Sequence, residues 1–359
     1  MSTGSGVYFN LVCRTRTIQL YAKEGEAGTA WIAALTRATS AVAAFEKAGG
    51  GTKRNMIRLA PLVADVPGGS VSSLAALGEA MYLGRSDGAV LRYGTKAGDG
   101  GGKAAHLTQM TDLASKKPVQ QLFVLPEPPC VVAMCDGVVS CHDLVSLEQQ
   151  GPPVTSGAHL LCIGRGSSEG KICVATKKKI HLYGYEGGMW REERDFAVPD
   201  KASTMEWHDK SIAIGYKQEY CMLDTATGDA QDVFPIDPKQ LPMLCPLTGT
   251  DELIFRLDKM GVFLTWQVTA SPEGRQIDWG AAPLSVAHCY PFVVALFKDC
   301  IQVHSLFDTT VPVQMIEFKG GQSILPVPES PHPMLVVVCS TKVMALEVIP
   351  PRYRTQIPP

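Results

Sequence analysis

The sequence lacks the features of several large protein classes. No apolar run approaches the roughly 20 residues of a membrane-spanning helix, and the first residues lack the charged-then-apolar pattern of a signal peptide. The formal net charge is only −2 across 359 residues, so no global electrostatic field attracts nucleic acid or an anionic membrane. We therefore expect a cytoplasmic globular protein that does not bind nucleic acid.

Cysteine motifs for metal binding and redox chemistry are also missing. The 11 cysteines are odd in number and irregularly spaced, and no Cys-x-x-Cys pair occurs, so a zinc ribbon or thioredoxin-type site has no support. Most lie inside apolar runs, where cysteine acts as a small core residue: Cys162, Cys173, Cys221, Cys300 and Cys339. We expect reduced thiols and a cytosolic setting.

No constellation of catalytic residues can be recognised. The eight histidines are scattered, without metal spacing to another histidine or a cysteine, and we expect structural roles for His181 and His304. The stretch Gly166–Gly170 spells G-x-S-x-G, but a nucleophile elbow needs a helix after it, and a strand is predicted there. The glycine run at 98–103 departs from the Walker pattern at two positions. The sequence predicts no enzyme activity, no catalytic residue, no metal and no cofactor.

What the sequence does contain is a repeated unit, which is clearest from Pro283 to Phe318. Its four short apolar runs, separated by turn residues, are Leu284–Ala287, Phe292–Leu296, Ile301–Ser305 and Val311–Phe318. The second run is apolar throughout, as in a strand buried on both faces, and the third alternates, as in a half-exposed strand. Four antiparallel strands in about 35–45 residues is the spacing of a β-propeller blade.

The blade pattern recurs along the chain and predicts how the ring closes. The last unit has only three predicted strands, Ser323–Val327, Met334–Cys339 and Lys342–Val348, and the strand Ile57–Val63 has no hairpin partner. We predict that Ile57–Val63 is the missing fourth strand. The fold class is then an all-β, seven-bladed β-propeller in a domain spanning 57–357, without free edges. In the first blade, a flexible glycine-rich loop is predicted over Lys96–Ala105.

The N-terminal segment differs from the repeats. Two strands are predicted at Val7–Val12 and Thr17–Ala22, and a helix at Gly28–Glu46 has an apolar stripe that includes Trp31. This β-hairpin plus α-helix resembles the C-terminal part of a pleckstrin homology (PH) domain. We assign residues 1–47 to a partial PH-like segment and 48–56 to a linker. The strands that carry the phosphoinositide-binding loop of that family are missing, so we expect no lipid site here.

From Val71 to Ile357 the chain resembles a citron homology (CNH) domain, most closely that of the Vam6-type vacuolar sorting subunits and their transforming-growth-factor-β-receptor-associated relatives. The segment QIDWGAAPLSVAHCYPFVVALFKDCIQVHSLFD at Gln276–Asp308 and PPRYRTQI at Pro350–Ile357 carry much of the resemblance. It implies a non-catalytic scaffold of an endosome–vacuole (lysosome) tethering complex of the HOPS/CORVET kind. Such a scaffold acts in vesicle-mediated transport, binds Rab-type small GTPases or sister subunits, and associates peripherally with endosomal and vacuolar membranes.

A second interpretation follows from the order of the two segments. A PH domain ahead of a CNH domain is similar to Rho guanine-nucleotide exchange factors and citron-type kinases. The chain would then be a regulatory fragment of a signalling protein from which the catalytic part is absent.

Two groups of residues are candidates for partner binding. Trp190 and Arg191 lie near a predicted loop tip and could anchor a partner, and Lys177, Lys178 and Lys179 could steer an acidic one. The alternative for both groups is ordinary solvated surface.

Overall fold

The computed structural model describes residues 6–12, 17–23, 56–97, 103–270, 274–327 and 334–348. The chain divides into two units, which we describe separately. In the first, strands β1 (Gly6–Val12) and β2 (Thr17–Lys23) form an antiparallel hairpin, in agreement with the two predicted strands. The predicted helix at Gly28–Glu46 and most of the linker after it lie outside the described residues, so the resemblance to a PH domain stays a prediction.

The second unit contains seven antiparallel sheets, which we number as blades one to seven. Strand β3 (Ile57–Val63) belongs to blade seven. Blade one holds β4 (Val71–Leu77), β5 (Ala80–Arg85), β6 (Ala89–Ala97) and β7 (Lys103–Asp112), and blade two holds β8 (Val119–Leu125), β9 (Cys130–Cys135) and β10 (Val138–His142). Blade three holds β11 (Ala158–Ile163), β12 (Ile172–Thr176), β13 (Lys179–Glu186) and β14 (Met189–Ala197), and blade four holds β15 (Thr204–His208), β16 (Ser211–Gly215), β17 (Glu219–Asp224) and β18 (Ala230–Pro235). Blade five holds β19 (Leu244–Pro246), β20 (Glu252–Leu257), β21 (Met260–Thr265) and β22 (Gln276–Asp278); blade six holds β23 (Ser285–Cys289), β24 (Phe292–Leu296), β25 (Cys300–Ser305) and β26 (Pro312–Glu317); blade seven holds β27 (Gly321–Pro326), β28 (Met334–Cys339) and β29 (Val343–Val348).

Strand β3 closes the ring as predicted. It pairs antiparallel with β29, and Leu59 lies opposite Leu346, so the sheet of blade seven is formed from both ends of the propeller sequence. The side chain of Gln314 in β26 extends the junction to blade six, because it accepts a hydrogen bond from the Ile57 N–H and donates one to the Ile57 carbonyl. The family motif at Pro350–Ile357 lies outside the described residues.

Seven apolar clusters form the core, one between each pair of neighbouring blades. The second strands of the blades lie between two clusters, which explains why β9, β24 and β28 are buried along their whole length. This confirms the prediction that the continuous apolar run Phe292–Leu296 is a strand buried on both faces. Side chains also join neighbouring blades: the Gln121 amide accepts a hydrogen bond from the Leu161 N–H at 2.7 Å and donates one to the Leu161 carbonyl.

The first two blades differ in their outer strands. The loop predicted at Lys96–Ala105 is wrong at both ends, because β6 continues to Ala97 and β7 begins at Lys103; residues 98–102 lie outside the described residues. Blade two has three strands. An irregular segment at 143–157 lies along the free edge of β10, where the Val139 N–H donates to the Thr155 carbonyl and the Val154 N–H donates to the Val139 carbonyl.

A turn of 3₁₀ helix at Gly166–Ser168 follows β11, and strand β12 comes after it. This order confirms the prediction that a strand, and not the helix of a nucleophile elbow, follows the G-x-S-x-G letters. Among the described residues, no helix combines the length and the hydropathy needed to cross a membrane.

Candidate partner-docking surfaces

The buried histidines are held by local hydrogen bonds. The His142 ring bonds Ser140 Oγ at 2.9 Å and the Leu147 carbonyl at 3.1 Å. The Nδ1 atom of His288 accepts the Thr248 N–H at 3.0 Å, and the His304 ring lies 3.2 Å from the Gln302 amide oxygen. Burial lowers the pKa of all three, that of His288 to about 4. These rings are neutral parts of the packing, as predicted for His304.

The described cysteines are unpaired, and of the five assigned to apolar runs only Cys300 is half-exposed rather than buried. Burial raises the pKa of the Cys221 and Cys289 thiols to about 11. Both therefore stay protonated at neutral pH, which is the state of a core residue and not of a nucleophile.

Three side chains on the exposed face of blade three offer ligand atoms that lie within 4.8 Å of one another: His181, Glu192 and Asp195. Each already has a partner, since His181 Nδ1 lies 3.1 Å from the Glu192 carboxylate and the Lys179 ammonium pairs with Asp195. Lys179 also lowers the pKa of Asp195. We assign the group to cross-strand hydrogen bonding and ion pairing, which polar side chains facing each other on a sheet ordinarily form.

The structure separates the three candidate lysines. Lys177 and Lys178 are exposed in the β12–β13 turn and line an open cavity of about 480 Å³, the lysine groove, together with His159 and Lys201. Lys179 does not line this cavity, and its ammonium pairs with Asp195 on the neighbouring strand. Two of the three lysines therefore remain available to an acidic partner.

Trp190 and Arg191 lie where the sequence places them, just after the β13–β14 turn. Trp190 is half-buried against the cluster between blades two and three, and it lies directly opposite Tyr185 with ring centroids 5.3 Å apart, edge to face. Arg191 is exposed. Tyr185 and Met189 are 42% and 50% exposed and were missed from sequence, although both flank the Gly187-Gly188 turn that marks the tip.

The hairpin forms one wall of a cavity of about 610 Å³ between blades two and three. This blade two–three groove is lined by Glu127–Pro129 of the β8–β9 turn, Glu169–Lys171 before β12, Gly184–Glu186 of β13 and Glu193 of β14. A smaller cavity of about 70 Å³ shares Pro128 and Tyr185 with it and is lined by Pro152, Pro153, Met189 and Trp190, among others. The two cavities adjoin at Pro128 and Tyr185, and we use the name blade two–three groove for both. The larger part is lined by four glutamates and the smaller part mainly by apolar side chains.

Gly170 shapes this groove. Its φ of +79° is unfavourable for other residues, and an added Cβ would lie 2.7 Å from the Glu127 carbonyl oxygen. A side chain here would push the turns of blades two and three apart.

The lysine groove and the blade two–three groove lie at opposite ends of blade three. Successive strands are antiparallel, so the β12–β13 turn and the β13–β14 turn are at opposite ends of β13. From Lys179 to Tyr185 the strand extends roughly 20 Å, at about 3.3 Å per residue. The two groups of candidate residues therefore lie at opposite ends of this strand.

The sequence of the chain is similar to those of several known proteins. The human "Vam6/Vps39-like protein" is 26% identical over 230 residues, which is 58% of this chain and 25% of that protein. "Vacuolar sorting protein 39" from Arabidopsis thaliana is 27% identical over 207 residues, covering 57% of this chain and 20% of that protein. "Transforming growth factor-beta receptor-associated protein 1" from Bos taurus is 25% identical over 277 residues, with 72% and 31% covered. The chain thus spans about a quarter of the length of these relatives.

Two solved structures support the fold. The "AfRom2 CNH domain" superposes with a TM-score of 0.60 at 12% identity, covering 81% of this chain and 99% of that chain. The WD40 β-propeller domain of Doa1 gives a TM-score of 0.62 at 10% identity, with 83% and 99% covered. The profile of the CNH domain matches residues 87–330, more than half of the chain, in the region where the structure forms seven blades. The chain therefore belongs to the CNH domain family.

Proposed function

We propose that this chain is a non-catalytic scaffold of an endosome–vacuole tethering complex, and that its propeller docks a Rab-type small GTPase or a sister subunit. The observation that carries the proposal is the similarity of the chain to the human Vam6/Vps39-like protein and to vacuolar sorting protein 39 of Arabidopsis thaliana. In this function the protein associates peripherally with endosomal and vacuolar membranes through its partners.

The propeller is suited to docking because its rigid strands present turns that vary without disturbing the core. Tyr185 and Met189 are exposed at the β13–β14 turn, and Trp190 supports Tyr185 from the cluster below. An exposed aromatic side chain with a packed neighbour is the kind of residue that dominates the binding energy of protein interfaces.

The test is retention of partners on the immobilised chain. GTP-locked and GDP-locked Rab proteins, Rho-family GTPases and tethering-complex subunits are passed over it in turn. We expect a Rab protein or a tethering subunit to be retained, and Tyr185→Ser to weaken retention about tenfold, as for an interface anchor. Met315→Ser is the control, because Met315 is 61% exposed on the outer strand β26 of blade six and should have no effect.

Retention of a Rho-family GTPase, with neither a Rab protein nor a tethering subunit bound, would contradict the proposal. The chain would then be the regulatory fragment of a Rho exchange factor or a citron-type kinase. Loss of retention in high salt would indicate that exposed charges such as Lys177 and Lys178 contribute, since salt screens them.

A further inference from the structure

The blade two–three groove carries an excess of negative charge. Its lining includes four carboxylates, those of Glu127, Glu169, Glu186 and Glu193, and one ammonium, that of Lys171. Lys171 pairs with Glu193 at 2.7 Å, and within the described part of the chain no ion pair involves the other three glutamates. An open cavity lined by uncompensated carboxylates has a negative local potential, which favours a cationic group and disfavours phosphate.

The neighbouring part of the groove is lined mainly by apolar side chains. Tyr185 belongs to both cavities, and Met189, Pro152 and Pro153 line the smaller one beside the Trp190 ring. Exposed tyrosine and methionine side chains offer contact area to an aliphatic or aromatic group, and the Tyr185 ring also offers a face to a cation. One occupant could therefore place a charged and an apolar side chain in adjoining parts of the same groove.

We propose that the blade two–three groove binds an extended segment of a partner protein in which an arginine or lysine lies beside an aliphatic or aromatic residue. The cation would lie among Glu127, Glu169 and Glu186, and the apolar side chain would contact Tyr185 and Met189. A cavity of about 610 Å³ has room for several side chains. The inference rests on the proposed docking function and adds the position and the chemistry of the contact.

The experiment uses three synthetic nonapeptides of Gly and Ser that differ only at their centre, which is Arg-Leu-Arg, Glu-Leu-Glu or Arg-Ser-Arg. Binding to the full chain is followed by the ¹³C-labelled methionine methyl signals, with Met189 assigned from Met189→Leu. We expect the Arg-Leu-Arg peptide to shift the Met189 signal saturably, with a dissociation constant below about 1 mM. The Glu-Leu-Glu peptide should leave the signal unchanged, and the Arg-Ser-Arg peptide should bind more weakly.

Variants identify the charges involved. The double substitution Glu169→Gln and Glu186→Gln should weaken binding of the Arg-Leu-Arg peptide about three- to tenfold, the range for two exposed charge pairs. Glu317→Gln is the control, since Glu317 is exposed on blade six and should change nothing. Equal binding of the acidic peptide, or a double variant that binds like the original chain, would overturn the inference. A Met189 signal that shifts with protein concentration in the absence of peptide would also overturn it, because the groove would then bind a second copy of this chain.

The two proposals fail in different ways. If a Rab protein or tethering subunit is retained and Glu169→Gln/Glu186→Gln does not weaken it, the docking function stands and the groove is not the site. If the Arg-Leu-Arg peptide binds as expected and no such protein is retained, the groove stands and the tethering function falls.

Discussion

Replacing Ile57 with aspartate is expected to unfold the propeller under conditions in which the original chain is folded. Ile57 is 1% exposed at the start of β3 and packs in the cluster that joins blades six and seven, with Phe292, Leu335 and Leu346. A carboxylate there would lose its hydration without gaining a cation, and substitutions of this kind cost more than about 4 kcal/mol. The loss would open the ring at the junction of its two ends. Urea denaturation followed by tryptophan fluorescence measures it.

Ile57→Val is the matched control for this junction. It removes one methylene group from the same position and should cost only about 0.5–1.5 kcal/mol. If Ile57→Asp and Ile57→Val unfold at the same urea concentration, β3 is not part of the folded ring, and the closure described above is wrong.

Acid is expected to destabilise the propeller between pH 7 and pH 5, with His288 as a main cause. Burial lowers the pKa of His288 to about 4 from an ordinary value of 6.5. Below pH 6.5 the unfolded chain therefore binds a proton that the folded chain does not. The stabilisation is complete above pH 6.5 and is lost as the pH falls toward 4. For this one group the free energy of unfolding should fall by about 2 kcal/mol between pH 7 and pH 5.

Substitution of His288 isolates its contribution from those of the other buried histidines. In His288→Asn the amide oxygen can accept the Thr248 N–H that Nδ1 accepts now, and the side chain no longer titrates. The variant should therefore show a flatter dependence of the free energy of unfolding on pH over this range. Identical slopes for the two proteins would show that His288 is not protected from protonation in the folded state.

The inner part of the fold could be predicted from sequence, whereas the outer strands were predicted less well. A strand covered on both faces needs a continuous apolar run, as in Phe292–Leu296, and the structure places that strand without any shift of its ends. Strand β7 pairs only with β6 and exposes Leu107 and Met110. An outer strand of this kind has no buried face to impose a clear alternation. The first three residues of β7 were therefore taken for part of a glycine-rich loop, and the rest was not predicted as a strand.

For the candidate site, sequence could give positions along the chain but not distances between blades. The position of the hairpin tip beside Trp190 can be predicted from the turn residues Gly187 and Gly188. The opposite wall of the groove comes from Glu127–Pro129 in another blade. No local sequence pattern predicts that these two turns lie close together. The pairing of Lys179 with Asp195 depends on the register of the β13–β14 hairpin, which contains a bulge after Leu182. In the sequence Lys177, Lys178 and Lys179 form one run, and only the strand register shows that Lys179 is paired with an acidic residue.

We propose that the propeller docks a protein partner of the tethering machinery through exposed turns of blades two and three. Hydrogen–deuterium exchange of the full chain, alone and saturated with the retained Rab protein or tethering subunit, shows which segments the partner covers. We expect slower exchange in peptides that contain Glu127–Pro129, Glu169–Lys171 and the 184–190 hairpin, with blade six unchanged. Unchanged exchange in all three of these segments, with the partner fully bound, would contradict it.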